Sequence, residues 1–251
     1  MRLALISLVL LCTFSWQLVS GQSSSPSSDP PSPRALLALA VSATGADGPI
    51  SPSGQCAADG ATTLYAPGET TPAPSHLIIS GAGTTQMTVQ ANSGTRSMVF
   101  SGPSGTETAA NGSSQPLDPR TALLSQFLYL PMIELASIAA DSDALLTLSS
   151  PTPINGHSTY ALTVSGHWTD LSLSDVPPAT VTFYIDSTTY IVVARQDTLF
   201  DPKDSRTHYD RLLSYDDYRS SGTFTVPFKV TQTIAGQVLS STQWTSLTAA
   251  L

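Results

Sequence analysis

Residues 183–230 constrain the fold of this chain more than any other stretch. Phe183 to Val193 reads FYIDSTTYIVV, two runs of β-branched and aromatic residues around Asp186-Ser187. Tyr215 to Val230 reads YDDYRSSGTFTVPFKV, two more around Gly222. Such side chains suit a half-buried pleated surface, and Asp, Ser and Gly punctuate it, so both stretches predict antiparallel hairpins. Side chains alternate across a strand. Phe224, Val226, Phe228 and Val230 therefore share one face, Thr223, Thr225, Lys229 and Thr231 the other, and Phe183 and Ile185 point together.

The same reading upstream gives a meander. HLIIS from His76, then TTQMTVQA and RSMVFSG, are strands separated by Gly81 to Gly83 and by Ser93-Gly94. LLTLSS and STYALTVSG form a further hairpin with Asn155-Gly156 as its two-residue turn, and one more strand is expected around Val238 to Leu247. Between Gly45 and Pro74, Asp47-Gly48, Asp59-Gly60 and Pro67-Gly68 crowd the chain with turn signals, so strands there are expected to be short. Gly102 to Gln115 reads as a loop or a weak hairpin around Thr106, and HWTDLSLSDVPP as an irregular insertion.

Two segments break the β pattern. RALLALAVSAT, Arg34 to Thr44, stops before Gly45 and predicts a short helix. Asp118 as a cap and Pro119 in the first turn open a second helical segment over 119–140. Its apolar residues, from Leu123, Leu124, Phe127 and Leu128 to Ile133, Leu135 and Ile138, cover nearly the whole circumference. Such a segment is buried or covers a cavity. Pro131 removes a mid-helix hydrogen bond and should kink or split it, and Pro131, Gln126 and Glu134 argue against a membrane span.

The fold class that follows is mainly β with a few helices (α+β). A sandwich with helices outside is one arrangement. The all-round apolar helix favours the other, a curved antiparallel half-barrel sheet with helices covering its concave face, which leaves an apolar interior of the kind that holds small ligands.

The first residues point to export. Met1-Arg2 precedes an uncharged, Leu-rich run from Leu3 to Phe14, so 1–21 reads as a signal peptide. A membrane anchor needs about 20 apolar residues, and this run decays into Gln17 and Ser20. A lipoprotein cut at Cys12 is disfavoured because Leu11 is not small. QSSSPSSDPPSP, 22–33, is a Ser/Pro-rich disordered tether, and 34–251 reads as a single domain. Loss of Cys12 leaves Cys56 alone, so stability comes from core burial and not from an intrachain disulfide. These features place the chain in the cell envelope, secreted or periplasmic, with no transmembrane segment after signal removal.

Composition and motifs exclude several functions. The formal charge is −8, charged residues are 11% of the chain, and the 10 Lys and Arg are scattered, which excludes a phosphate-tracking surface and so nucleic acid. His76, His157, His167 and His208 show no metal-ligand spacing; only His157, His167 and Asp170 could be brought together by strand pairing, and no metal or cofactor is expected. No G-x-S-x-G elbow or distinctive acid pair appears, so no catalytic residue is assigned. Asp216-Asp217 and Asp201 to Asp204 read as solvated loop acids, and Tyr218 with Arg219 as a structural corner.

The "Ile-Asp, turn, Tyr-Ile-Val" hairpin followed by the "Asp-Tyr-Arg, Gly, Val-Pro-Phe" hairpin resembles the periplasmic lipoprotein-carrier (LolA/LppX-like) superfamily and its uncharacterised secreted bacterial relatives. The resemblance covers 183–234 and, more loosely, 119–166. It implies a half-barrel sheet with helices as a lid, and a non-catalytic carrier or sensor of a lipid or acylated ligand. No short signature defines that superfamily, so the candidate cavity lining is read from the apolar pattern itself: Phe127, Leu128, Ile133, Phe183, Ile185, Phe224 and Phe228. Alternating apolar residues need no ligand to explain them. The alternative is therefore an envelope interaction or structural module with a filled core and no small ligand.

Overall fold

The structure, a computed structural model, describes residues 30–46, 54–67, 70–80, 83–165, 180–204 and 206–250. The signal segment, most of the Ser/Pro tether and the insertion carrying His167 and Asp170 lie outside the described residues.

Helix α1 (Pro33–Ala43) begins where the Ser32 side chain accepts from the Ala35 N–H, with Pro33 at a position where its missing N–H is not needed. It buries Leu36, Leu37 and Ala40 and ends at Thr44 and Gly45. Gly45 has φ +70, and a Cβ there would stand 2.2 Å from the Thr223 carbonyl oxygen. Glycine thus both turns the chain and lets the helix end abut the sheet.

Six strands follow: β1 (Gln55–Leu64), β2 (Ala73–Ser80), β3 (Thr84–Ala91), β4 (Gly94–Ser101), β5 (Ser104–Thr108) and β6 (Ser114–Pro116). Helices α2 (Pro119–Ser125) and α3 (Pro131–Ala140) come next, then β7 (Leu145–Ile154), β8 (His157–Ser165), β9 (Thr180–Asp186), β10 (Val192–Phe200), β11 (His208–Ser221), β12 (Phe224–Ile234) and β13 (Gln237–Ala250). The described strands form one 13-stranded antiparallel sheet in the order β6-β5-β4-β3-β2-β1-β13-β12-β11-β10-β9-β8-β7. Two meanders are therefore joined where the first strand meets the last. The sheet is a curved half-barrel, open and not closed on itself. Its two edges, β6 and β7, are consecutive in sequence, and the chain passes between them through α2 and α3. Those helices lie on the concave face: α2 packs on β4, β5 and β10, and α3 on β10 and α1.

The expected turns are in place. Asn155 (φ 51) and Gly156 (φ 84) join Ile154 to His157 in the left-handed pair that matches strand twist. Gly222 (φ 62) turns β11 into β12. Asp186 closes the turn between β9 and β10 by accepting from the Thr188 and Thr189 N–H groups at 2.9 and 2.8 Å. Pro131 splits the helical segment as expected, leaving α2 and α3 with a turn between them.

Three expectations need correction. The stretch from Gly45 to Pro74 holds β1, a ten-residue strand at the centre of the sheet. Its Ala, Thr and Gly carry little apolar signal, but small residues are what the site requires. Gly60 sits at a register shift against β13, and a Cβ there would stand 2.2 Å from the Gln243 carbonyl oxygen. Thr106 is not a turn residue: it lies within β5, paired with Val99 and Pro116. The turn falls instead at Ala109 to Ser113, where the Asn111 side chain accepts from the Ser113 N–H. The last strand runs to Ala250, beyond Leu247, because β1 pairs with it to its end.

Candidate ligand-binding site

Helices cover the concave face unevenly. Over β7 to β10, α1 and α3 lie directly on the sheet, and Leu162, Val164, Val181, Phe183 and Ile185 beneath them are completely buried. Over the other half, α2 and the turn 126–130 leave a gap.

Besides its buried apolar residues, charged and hydroxyl side chains tie α2 and its turn to the sheet. Glu134 of α3, Arg195 and Asp197 of β10 and Arg211 of β11 form a buried cluster beneath the helices. Arg195 donates to Glu134 through Nε and Nη2 at 2.8 and 2.9 Å and to Asp197 through Nη1. Arg211 donates to both Asp197 oxygens at 2.7 Å. Both guanidinium groups also donate to the Leu124 carbonyl near the end of α2, at 2.8 and 3.2 Å. A helix end leaves carbonyls unpaired and partly negative, so two cations there satisfy a hydrogen-bonding and an electrostatic demand together. The Tyr215 hydroxyl donates to the Leu128 carbonyl at 2.7 Å, and the Thr85 hydroxyl to that of Gln126. At the start of α2, the Arg120 guanidinium lies 3.4 Å from the Phe200 ring centre, and Thr121 exchanges two hydrogen bonds with the Phe200 backbone.

Burial alone would raise the Asp197 carboxyl, but Arg211 and Arg195 beside it hold it below the usual carboxylate range. Burial would likewise lower Arg195, yet Glu134 and Asp197 raise it further. The cluster carries two positive and two negative groups and is internally balanced.

Beside this cluster, between α2 with its turn and the strands β1, β3, β4, β12 and β13, lies a cavity of about 420 Å³. That falls within the range typical of small-ligand pockets, about 300–1,000 Å³. Met87, Val89, Met98, Phe100, Leu128 and Ile234 supply much of its apolar wall. Its polar lining includes Thr62, Arg96, Glu107, Ser125, Tyr129 and Arg211. Burial pushes the Tyr129 phenol up to about 12, so it stays neutral. Its ring meets Trp244 edge-on, with centres 5.8 Å apart.

Of the seven residues expected from sequence to line a cavity, Leu128 lines this one. Ile133, Phe183, Ile185 and Phe228 belong to the buried core, with Phe127 and Phe224 packed against it. The near end of β12, with Phe224 and Phe228, meets the end of α1, where the Thr225 N–H donates to the Thr44 carbonyl. Its far end, with Gln232 and Ile234, reaches the cavity.

No family model and no curated protein matches the chain. Solved structures do. One is a domain assigned to outer membrane lipoprotein sorting from Vibrio parahaemolyticus, at 10% identity over 85% of this chain and 91% of that one, with a TM-score of 0.48. Another is a LolA superfamily protein from Nitrosomonas europaea, at 11% identity over 84% and 92%, also with a TM-score of 0.48. A DUF1329 family protein from Desulfovibrio piger follows at 10% identity over 86% and 92%, with a TM-score of 0.44. With every TM-score below one half, the site stands on its own geometry.

Among the described residues the histidines do not converge. His157 meets Asp186 at 2.8 Å and His76 meets Asp59 at 2.7 Å. Among the described residues, no group of three or more His, Cys, Asp or Glu is placed to hold a metal ion, and no helix is long and apolar enough to cross a membrane. Tyr218 makes the structural corner expected of it, donating to the Val192 carbonyl at 2.5 Å.

Sequence reasoning missed the ionic cluster. Two signals point to it. Glu134 stands inside an otherwise apolar helix, and Arg195 and Asp197, two apart in VVARQDTLF, project opposite charges from one face of a buried strand.

Proposed function

We propose that this protein is a non-catalytic carrier or sensor of the cell envelope, secreted or periplasmic, that holds an apolar or acyl-chain ligand between α2 and the sheet. The observation that carries the reading is the cavity itself: about 420 Å³ of largely apolar-walled space beside a fully buried core. A concave, largely apolar space of this size is the form that small-ligand sites usually take. Its lining brings no nucleophile together with a base. The signal-like leader supports an envelope location, which suits a lipid ligand.

Native mass spectrometry of the gently purified protein, followed by organic extraction, tests the proposal. A stoichiometric lipid supports it and identifies the cargo. An empty, folded protein that refuses added fatty acids and esters favours the second reading, an envelope interaction or structural module. Phe183 and Ile185, completely buried in the hydrophobic core, favour that second reading.

A further inference from the structure

The polar groups at the cavity floor carry a statement about which acyl ligand fits. A guanidinium has five N–H donors. Arg211 uses one on Nε toward Asp197, two on Nη2 toward Asp197 and Leu124, and one on Nη1 toward the Ser125 hydroxyl at 2.9 Å. One Nη1–H is left. The Ser125 oxygen accepts from Arg211, and among the described residues nothing accepts its own proton. Arg211 and Ser125 are each about 2% exposed, and both line the cavity. Two uncommitted donors on bonded neighbours therefore lie at the wall of a largely apolar space.

Their surroundings carry no surplus positive charge. Arg211 shares Asp197 with Arg195, which is matched in turn by Glu134. Farther along the wall, Arg96 and Glu107 contribute one charge of each sign. A carboxylate entering this site would be desolvated without a free cation to meet it, which is unfavourable. An uncharged acceptor would gain both hydrogen bonds without that penalty.

We infer that Arg211 Nη1–H and Ser125 Oγ–H form a carbonyl-binding subsite, and that the ligand is a neutral acyl ester or amide in preference to a free fatty acid. The inference rests on the proposed function above and refines it.

Displacement of the uncharged dye Nile red from the full mature chain at neutral pH tests it, with methyl decanoate, decanoate and decane as competitors of matched chain length. The expected result is that the ester displaces the dye at about one-tenth the concentration needed for either other ligand, the gain of roughly two hydrogen bonds. Ser125→Ala should reduce the advantage of ester over alkane to about threefold or less. Selectivity in the unaltered protein reads the inference even where Ser125→Ala folds poorly. Equal displacement by ester and alkane, or decanoate as the strongest competitor, overturns the subsite and leaves the carrier reading standing. If the dye and all three ligands fail to bind, carrier reading and subsite fall together.

Discussion

Glu134, inside helix α3, accepts two hydrogen bonds from the Arg195 guanidinium of β10, and the two side chains are 2% and 0% exposed. This contact, 61 residues apart in sequence, ties the helices to the sheet. Removing one partner of a buried pair leaves the other charged and desolvated. Glu134→Ala should therefore destabilise the protein by about 3–5 kcal/mol in denaturant unfolding. Replacing both, as Glu134→Leu with Arg195→Met, leaves Arg211 and Asp197 still matched and should recover most of that loss. A double variant as unstable as the sum of the single ones contradicts the assignment.

Gly60 lies where β1 and β13 cross their register shift, and backbone occupies the space a side chain would need. Gly60→Ala should cost about 3 kcal/mol or more, because neither strand can move without breaking the junction of the two meanders. The denaturant midpoint measures it.

Acid should weaken the β9–β10 turn. Burial raises the Asp186 carboxyl, but the Thr189 and Thr188 N–H groups and His157 outweigh it and bring it from 3.8 down to about 2. A carboxyl depressed on folding contributes stability that is fully present above its unfolded value and is lost as pH falls through its folded value. The loss from this group therefore falls between about pH 4 and pH 2. Melting temperatures of the protein and of Asp186→Asn across that window should converge toward the acid end; parallel curves contradict the prediction.

Cys56 is 1% exposed, and burial pushes its thiol up to about 11. The thiolate is the reactive form. A chromogenic thiol reagent at neutral pH should leave the native protein unlabelled over the time in which it fully labels the unfolded one.

Much of the architecture was legible where local chemistry decides it. Asn155-Gly156, Gly222 and Asp118-Pro119 each specify a backbone conformation with their own atoms, and Pro131 splits the helix for the same reason. What escaped was decided at long range. β1 is a strand because β2 and β13 flank it, not because QCAADGATTL favours one. The ionic cluster joins residues from α3, β10 and β11, whose proximity is a property of the sheet order. The cavity followed the same rule. An apolar side chain reads alike in sequence whether it faces a helix, as Phe183 does, or open space, as Met98 does; the placing of α1 and α3 over one half of the sheet makes the difference.

The most direct test of a ligand-holding cavity is Nile red binding to the unaltered protein, to Met98→Trp and to Phe183→Ala. Met98 lines the cavity and is only partly buried, so tryptophan there should fill the space and weaken binding at least about tenfold with little change in melting temperature. Phe183 lies in the packed core, so Phe183→Ala should cost about 3–5 kcal/mol of stability and leave binding by the folded protein unchanged. A folded Met98→Trp that binds the dye as the unaltered protein does, or binding that is lost with Phe183 instead, contradicts the assignment of this cavity.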